Sequence, residues 1–322
     1  MTLTTEAFIA ETDRRANGIN GPEDPIFTDE ILTIGHEGAS MAEIRLAGGY
    51  LLGCSLKDRH GNIVPVLYGG TDTPGEEPPL EYKINATHLM NPVGPQKGQP
   101  QHGRHRYTDY RRVSYGDPEQ YVTSPEQLKL EPKSRALIAA EVPKTVPRHF
   151  REVVVAGSEV QVRDTYFNTS KKQYTSFGQH FYWLLNSDPG VVPSLEGFSV
   201  TDSKAQPLFT KDALQEAFNG NSQYVPLPRG IARVAFADGR SFSMQTSARL
   251  YDHNRNPIGK PLPSGLLAWR RQGTNSICIE DVYGMEHDGT PPVEASKLSN
   301  QGVILPAHAS IDIQTFITAE NR

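Results

Sequence analysis

Along this chain apolar and polar residues alternate at period two in short, well-separated runs, and the helical period is almost absent. The first run is Ile31-Leu32-Thr33-Ile34, followed by Ser40-Met41-Ala42-Glu43-Ile44-Arg45-Leu46, a break at Gly48-Gly49, and Tyr50-Leu51-Leu52-Gly53-Cys54-Ser55-Leu56. Asp58-Arg59-His60-Gly61-Asn62 reads as a turn before Ile63-Val64-Pro65-Val66-Leu67-Tyr68. Alternate residues of a strand point to opposite faces, so this opening predicts an antiparallel meander and not a βαβ unit. Further runs predict strands near 111–115, 136–142, 174–177, 231–236, 241–246, 266–269, 276–279 and 310–317. The clearest hairpin joins 150–155 to 159–168 through Ala156-Gly157-Ser158, and the best helix candidate is the short interval 211–218.

Residues 1–28 are polar without a sustained period and predict an N-terminal arm. With strands spread over the remainder and no composition shift to mark a linker, residues 29–322 are expected to form one all-β domain. Its architecture would be a large antiparallel β-sandwich of two sheets with few short helices. The 28 glycines and 25 prolines fit many short strands joined by irregular turns. The interval from Gly69 to Gln101 holds so many of them that it reads as a long loop, and loops of that length usually have a function. It is expected to build a site; a mobile linker is the alternative, because Thr71 to Pro79 is acidic and proline-rich.

A formal net charge of -5 leaves no basic field that would gather nucleic acid or an anionic membrane. Cys54 and Cys278 are too few for a disulfide framework and have no C-x-x-C spacing, which points to a reducing compartment. The opening residues lack a signal-peptide pattern and no run approaches 18 apolar residues, so a cytoplasmic protein without a membrane span is expected. On that ground the acceptor patterns Asn85-Ala86-Thr87 and Asn168-Thr169-Ser170 read as chance matches.

Three segments carry candidate chemistry. Gln101-His102-Gly103-Arg104-His105-Arg106-Tyr107 offers a density of donors suited to a hydroxyl-rich ligand, or else forms a solvated basic turn. In Gln179-His180-Phe181-Tyr182-Trp183, alternation would put His180 and Tyr182 on one face and Phe181 and Trp183 on the other, a cleft against a core. An imidazole titrates near neutrality and suits proton transfer, although a core histidine satisfied by a carbonyl has the same signature. Glu280, in Ser276-Ile277-Cys278-Ile279-Glu280-Asp281-Val282, is either a strand-end carboxylate in water or a base whose proton affinity Asp281 raises by repulsion. Nucleotide-binding, serine-elbow and zincin motifs are missing. The ten histidines are scattered, only His102 and His105 being close in sequence, so no metal site is expected.

In these segments the chain resembles the galactose mutarotase-like superfamily, and within it the aldose 1-epimerases and hexose-6-phosphate 1-epimerases. Pro100-Gln101-His102-Gly103 with Arg106 resembles the P-Q-H-G-x-x-R segment of the phosphate branch. Gln179-His180-Phe181-Tyr182 is similar to the family's H-x-Y-F strand, Cys278-Ile279-Glu280 to its C-x-E strand, and Leu305-Pro306 to its closing motif. Asp281 stands where the family has Pro, and 82–88 replaces its arginine-glycine segment. The resemblance implies a sandwich enzyme that interconverts sugar anomers without a cofactor or metal. His180 would be the general acid, Glu280 the general base, and His102 and Arg106 would bind a hexose, free or phosphorylated. It also implies that the imidazole and carboxylate face each other across a cleft one pyranose wide. A silent sugar-binding or sensing protein on the same fold is the alternative from another class, and a polysaccharide lyase or glycoside-processing domain a third.

Overall fold

The strongest alternation becomes strand at every place where the computed structural model describes the chain, which is residues 30–35, 38–69, 86–91, 93, 102, 110–115, 135–140, 148–168, 173–188, 190–284 and 303–320. One sheet of ten strands contains β1 (Ile31–Gly35), β2 (Met41–Arg45), β3 (Tyr50–Lys57), β4 (Ile63–Leu67), β5 (His88–Met90), β11 (Phe177–His180), β12 (Tyr182–Leu184), β14 (Gln223–Leu227), β18 (Ser264–Trp269) and β19 (Ser276–Tyr283). The other, of nine, contains β6 (Tyr110–Tyr115), β7 (Arg135–Ala140), β8 (Arg148–Ala156), β9 (Glu159–Phe167), β13 (Ser199–Asp202), β15 (Ile231–Ala235), β16 (Ser241–Tyr251), β17 (Pro257–Ile258) and β21 (Ser310–Glu320). A small ribbon pairs β10 (Gln173–Thr175) with β20 (Val303–Leu305). Paired strands among the described residues run antiparallel, and the expected all-β sandwich is what the chain forms.

One apolar cluster lies between the sheets. Ile34, Ile44, Leu56, Phe181, Trp183, Ile277 and Ile279 come from the ten-stranded sheet, and Val153, Val162, Val234, Phe242 and Ile317 from the other. Trp183 is fully buried, and its indole N–H donates to the Ile279 carbonyl at 3.1 Å, so its one polar atom is satisfied inside the core. Along the ten-stranded sheet β4 leads to β12, and β19 pairs β12, β11 and β18. In the nine-stranded sheet β21 lies between β16 and β9. The Gly48-Gly49 break has a steric reason. Gly49 takes φ of 61°, and a Cβ there would fall 2.6 Å from the Tyr110 ring.

The helix among the described residues is α1 (Lys211–Phe218). Thr210 caps its start by accepting from the Ala213 N–H at 3.1 Å. Several strands go beyond the sequence expectation. β14 contains Pro226, which an edge strand tolerates, and among the described residues β14 pairs only with β18. β5 corrects the reading of 69–101 as one irregular loop, since His88–Met90 pairs with β11. The expected arm over 1–28, and residues 70–85 and 94–101, lie outside the described residues. Asn168 is buried and its amide donates to the carbonyls of Leu305 and Pro306, at 3.2 and 2.9 Å, so it presents no free acceptor for a glycan. Both thiols are free and buried. No helix among the described residues is long and apolar enough to cross a membrane.

Candidate active site

The register of three strands sets the site. Gln179 lies opposite Asp281 and Tyr182 opposite Cys278, so the residue facing His180 across the pair is Glu280. On its other side His180 pairs with His88 of β5, and Glu280 pairs with Leu267 of β18, which in turn pairs with Tyr224 of β14. His88, His180, Glu280, Leu267 and Tyr224 therefore form one row across one face of the sheet. Residues two along share that face: Tyr182, Cys278 and Trp269 on one side of the row, Met90 and Val282 on the other. Phe181, Trp183, Ile277 and Ile279 point into the core, as the alternation predicted.

His180 Nε2 lies 3.2 Å from Glu280 Oε1, with both side chains nearly withdrawn from water, 3% and 2% exposed. The Tyr182 ring stacks on the imidazole at 4.5 Å and 9°. His88 also stacks against it at 4.9 Å, and His102 meets it edge-on at 5.0 Å. Trp269 adds a perpendicular ring at 6.2 Å. The His88 Nδ1 lies 2.8 Å from the Ala86 carbonyl, which fixes the ring's orientation. His102 is buried with φ of 62°, a left-handed conformation costly for a residue with a side chain, and its carbonyl accepts from the Asn91 N–H at 3.3 Å.

The fold thus brings His102, His180 and Glu280 together, while Arg106 falls outside the described residues. The acid and base candidates stand side by side on one sheet, in contact, and not across a gap the width of a sugar ring. Three of the ten histidines, His88, His102 and His180, gather here. Donor atoms of His180, Cys278 and Glu280 lie within 4.8 Å of one another, close enough to share a metal ion.

No protein-family model and no curated protein sequence matches the chain. Solved structures do. A galactose mutarotase related enzyme from Lactobacillus acidophilus is 12% identical with a TM-score of 0.60, over 90% of this chain and 97% of that one. A galactose mutarotase-like protein from Lactobacillus casei is 13% identical with a TM-score of 0.57, over 90% and 100%. An aldose epimerase homologue from C. elegans is 11% identical with a TM-score of 0.50, over 91% and 100%. The chain has the galactose mutarotase-like fold.

Electrostatics within this mutarotase-like sandwich differ on the two faces of the central strands. On the site face burial pushes the Glu280 carboxyl well above the usual carboxylate range, and the neighbouring Asp281 charge adds to it. Burial raises the Cys278 thiol as well, with Glu280 second. Asp281 points the other way, between the sheets. There burial pushes it up to about 7, against the hydrogen bond that Thr246 Oγ1 donates to its Oδ2 at 2.9 Å.

A buried polar network fills the inter-sheet space behind the site. Burial alone would raise the Asp164 carboxyl, but Arg151 and His149 outweigh it and hold the group below its ordinary range. Burial keeps His149 on the neutral side, so its Nε2–H donates to Asp164 at 2.6 Å while Nδ1 accepts from the Tyr110 hydroxyl at 2.5 Å. The Gln179 amide donates to Asp164 at 2.6 Å, and Arg151 donates to the Thr87 carbonyl at 3.0 Å. Thr87, Gln179 and Asp281 are the chain neighbours of His88, His180 and Glu280, so polar contacts between the sheets fix each strand that carries the row.

His88, Cys278 and Trp269 were not among the sequence candidates, and Asp281 entered there only as a charge beside Glu280. Cys278 was recoverable, since it stands two before Glu280 on an alternating strand. His88 was masked by the Gly/Pro-rich interval around it, and Thr87-His88-Leu89-Met90, two polar residues before two apolar ones, shows no alternation.

Proposed function

We propose that the chain is an aldose 1-epimerase-like isomerase, interconverting the α and β anomers of a hexose or hexose phosphate. His180 is the general acid and Glu280 the general base. The observation that carries this reading is their direct opposition at 3.2 Å on one aromatic- and histidine-lined sheet face. In a pyranose, the ring oxygen and the anomeric oxygen are both bonded to C1. A donor and an acceptor side by side meet these two atoms together, which groups separated by a whole ring would not do.

Charged His180 passes its proton to the ring oxygen while Glu280 takes the proton of the anomeric hydroxyl. The C1–ring oxygen bond breaks, leaving an aldehyde and a hydroxyl. Rotation about C1–C2 presents the opposite carbonyl face, the hydroxyl adds back, and each proton returns to its donor. No proton is lost to solvent, and neither step calls on a cofactor. Burial makes ionised Glu280 a stronger base than a wet carboxylate. Tyr182 and Trp269 offer flat surfaces to sugar C–H bonds, and His102 and Arg106 are assigned to hydroxyls or a phosphate. Residues 29–322 would act as one unit in the cytoplasm, in keeping with one core spanning both sheets and two free thiols.

NMR saturation transfer between anomers tests this over a panel of free and phosphorylated hexoses. Exchange above the spontaneous rate for some member is expected, and spontaneous rates across the whole panel would sink the proposal. One observation favours a silent sugar-binding protein instead: the two groups already contact each other and are almost fully buried. Saturable binding of a panel sugar with no added exchange would establish that reading.

A further inference from the structure

We infer that His180, Cys278 and Glu280 form a binding site for a zinc-class divalent ion, whose occupancy silences the acid–base pair. The site shares its residues with the proposed epimerase centre, and the silencing half of the inference rests on that reading. The ion-binding half stands on geometry alone.

Cys278 and Glu280 are two apart on β19 and so share a face, and His180 stands opposite Glu280 on the adjoining strand. Their donor atoms lie within 4.8 Å of one another, with the nitrogen and oxygen already at 3.2 Å. Tetrahedral zinc with ligand bonds of about 2.0–2.3 Å holds neighbouring donors roughly 3.3–3.6 Å apart, so the imidazole and carboxylate are near ligating separation and a small rotation of the thiol completes the set. Three protein ligands with a fourth position left to water is the usual form of an open zinc site.

Donor chemistry selects the ion. A thiolate beside an imidazole favours zinc over magnesium or calcium, which prefer cages of oxygen. Binding releases the thiol proton and the proton shared by His180 and Glu280. A thiolate, a carboxylate and a neutral imidazole around a divalent cation then sum to zero charge, which suits a largely buried place. With the ion bound, His180 Nε2 cannot carry the proton it must donate and the coordinated Glu280 carboxylate is too weak a base to take one, so ring opening stops.

Chelator-treated protein titrated with Co²⁺ provides the test. A thiolate-to-cobalt charge-transfer band is expected to grow in and saturate stoichiometrically, and Zn²⁺ should then displace it. Cys278→Ser should abolish the band and Cys54→Ser should keep it, with folding of each variant checked by circular dichroism. Glu280→Gln should weaken binding at least about tenfold, since even outer partners of a metal ligand cost that much. A folded wild-type protein that gives no band overturns the site whatever the variants do, as does a band that survives in Cys278→Ser. In the anomer-exchange assay Zn²⁺ should suppress the wild type and spare Cys278→Ser. Absence of exchange in metal-free protein would instead remove the epimerase reading and leave the cobalt result to decide the site.

Discussion

Arg151 grips Asp164 through two N–H···O bonds of 2.8 Å each, in a space between the sheets that water does not reach. The same guanidinium donates to the carbonyls of Gly49 and Thr87, and the same carboxylate accepts from His149 and Gln179. This pair fastens the nine-stranded sheet to the strands that carry His88 and His180.

Removing one partner should therefore be costly. Asp164→Asn leaves Arg151 as a buried charge without its counter-ion, and Arg151→Met does the same to Asp164. Each single change is expected to lose about 3–5 kcal/mol, and the double variant less than the sum of the two. Urea unfolding curves of the four proteins measure this; additive losses would show that the two side chains do not act as a pair.

Asp281 makes a prediction about pH. Folding raises its carboxyl to about 7, above the value near ~4 of an unfolded chain. Between those two values the folded protein binds more protons than the unfolded one, so stability falls as pH rises through that window and levels off above it. Glu280 shifts in the same direction. Denaturant midpoints of chelator-treated protein should drop between pH 5 and 8, and Asp281→Asn should flatten the drop. An Asp281→Asn midpoint that falls as steeply as that of the wild type over this range would contradict the burial argument.

The proposed roles predict the kinetics of two further variants. Glu280→Gln and His180→Asn should each reduce catalysed anomer exchange on the order of 10²–10⁴-fold with little change in melting temperature. The double variant should be no worse than about the poorer single one, since the two groups act as a unit. Exchange that continues at the wild-type rate in either variant would assign the chemistry elsewhere.

Gly178 offers a steric test. A Cβ at this position would lie 2.4 Å from the Asp281 carbonyl oxygen, a backbone atom that cannot swing aside, and 2.8 Å from the Met90 side chain. Gly178→Ala is expected to force β11 and β19 apart, losing about 1–3 kcal/mol and slowing exchange through the His180–Glu280 contact. Thermal unfolding together with exchange separates this from Gly157→Ala, whose Cβ meets nothing within 4 Å; that variant has φ of 56° to contend with and should leave exchange intact.

Much of this structure could be read from the chain. Period-two alternation located the meander, the hairpin and the long strands, and it put Phe181 and Trp183 in the core with His180 and Tyr182 on the other face. It also delivered Glu280, although only strand register could reveal that it stands opposite His180. The inter-sheet network was not legible. On β8 the inward positions run from Val155 and Val153 to Arg151 and His149, and on β9 from Val160 and Val162 to Asp164. Charged residues that continue an apolar row look like a strand leaving the core, because a single strand does not show that its charges meet partners across the sheet. His88 stayed hidden for a related reason: three residues of strand among glycines and prolines carry too short a period to be recognised.

The place of β21 in its sheet has a consequence for how the molecule is made. It pairs with β16 from Ser241↔Glu320 to Tyr251↔Ser310, and with β9 from Phe167↔Ser310 to Glu159↔Thr318. Of the strands described, this central one is the last to leave the ribosome. Until it does, β9 and β16 present two long unpaired edges, each a template for strands of another chain. The nascent chain must keep both apart from other molecules while it waits for the one segment that joins them, so the risk of aggregation lasts until β21 has emerged.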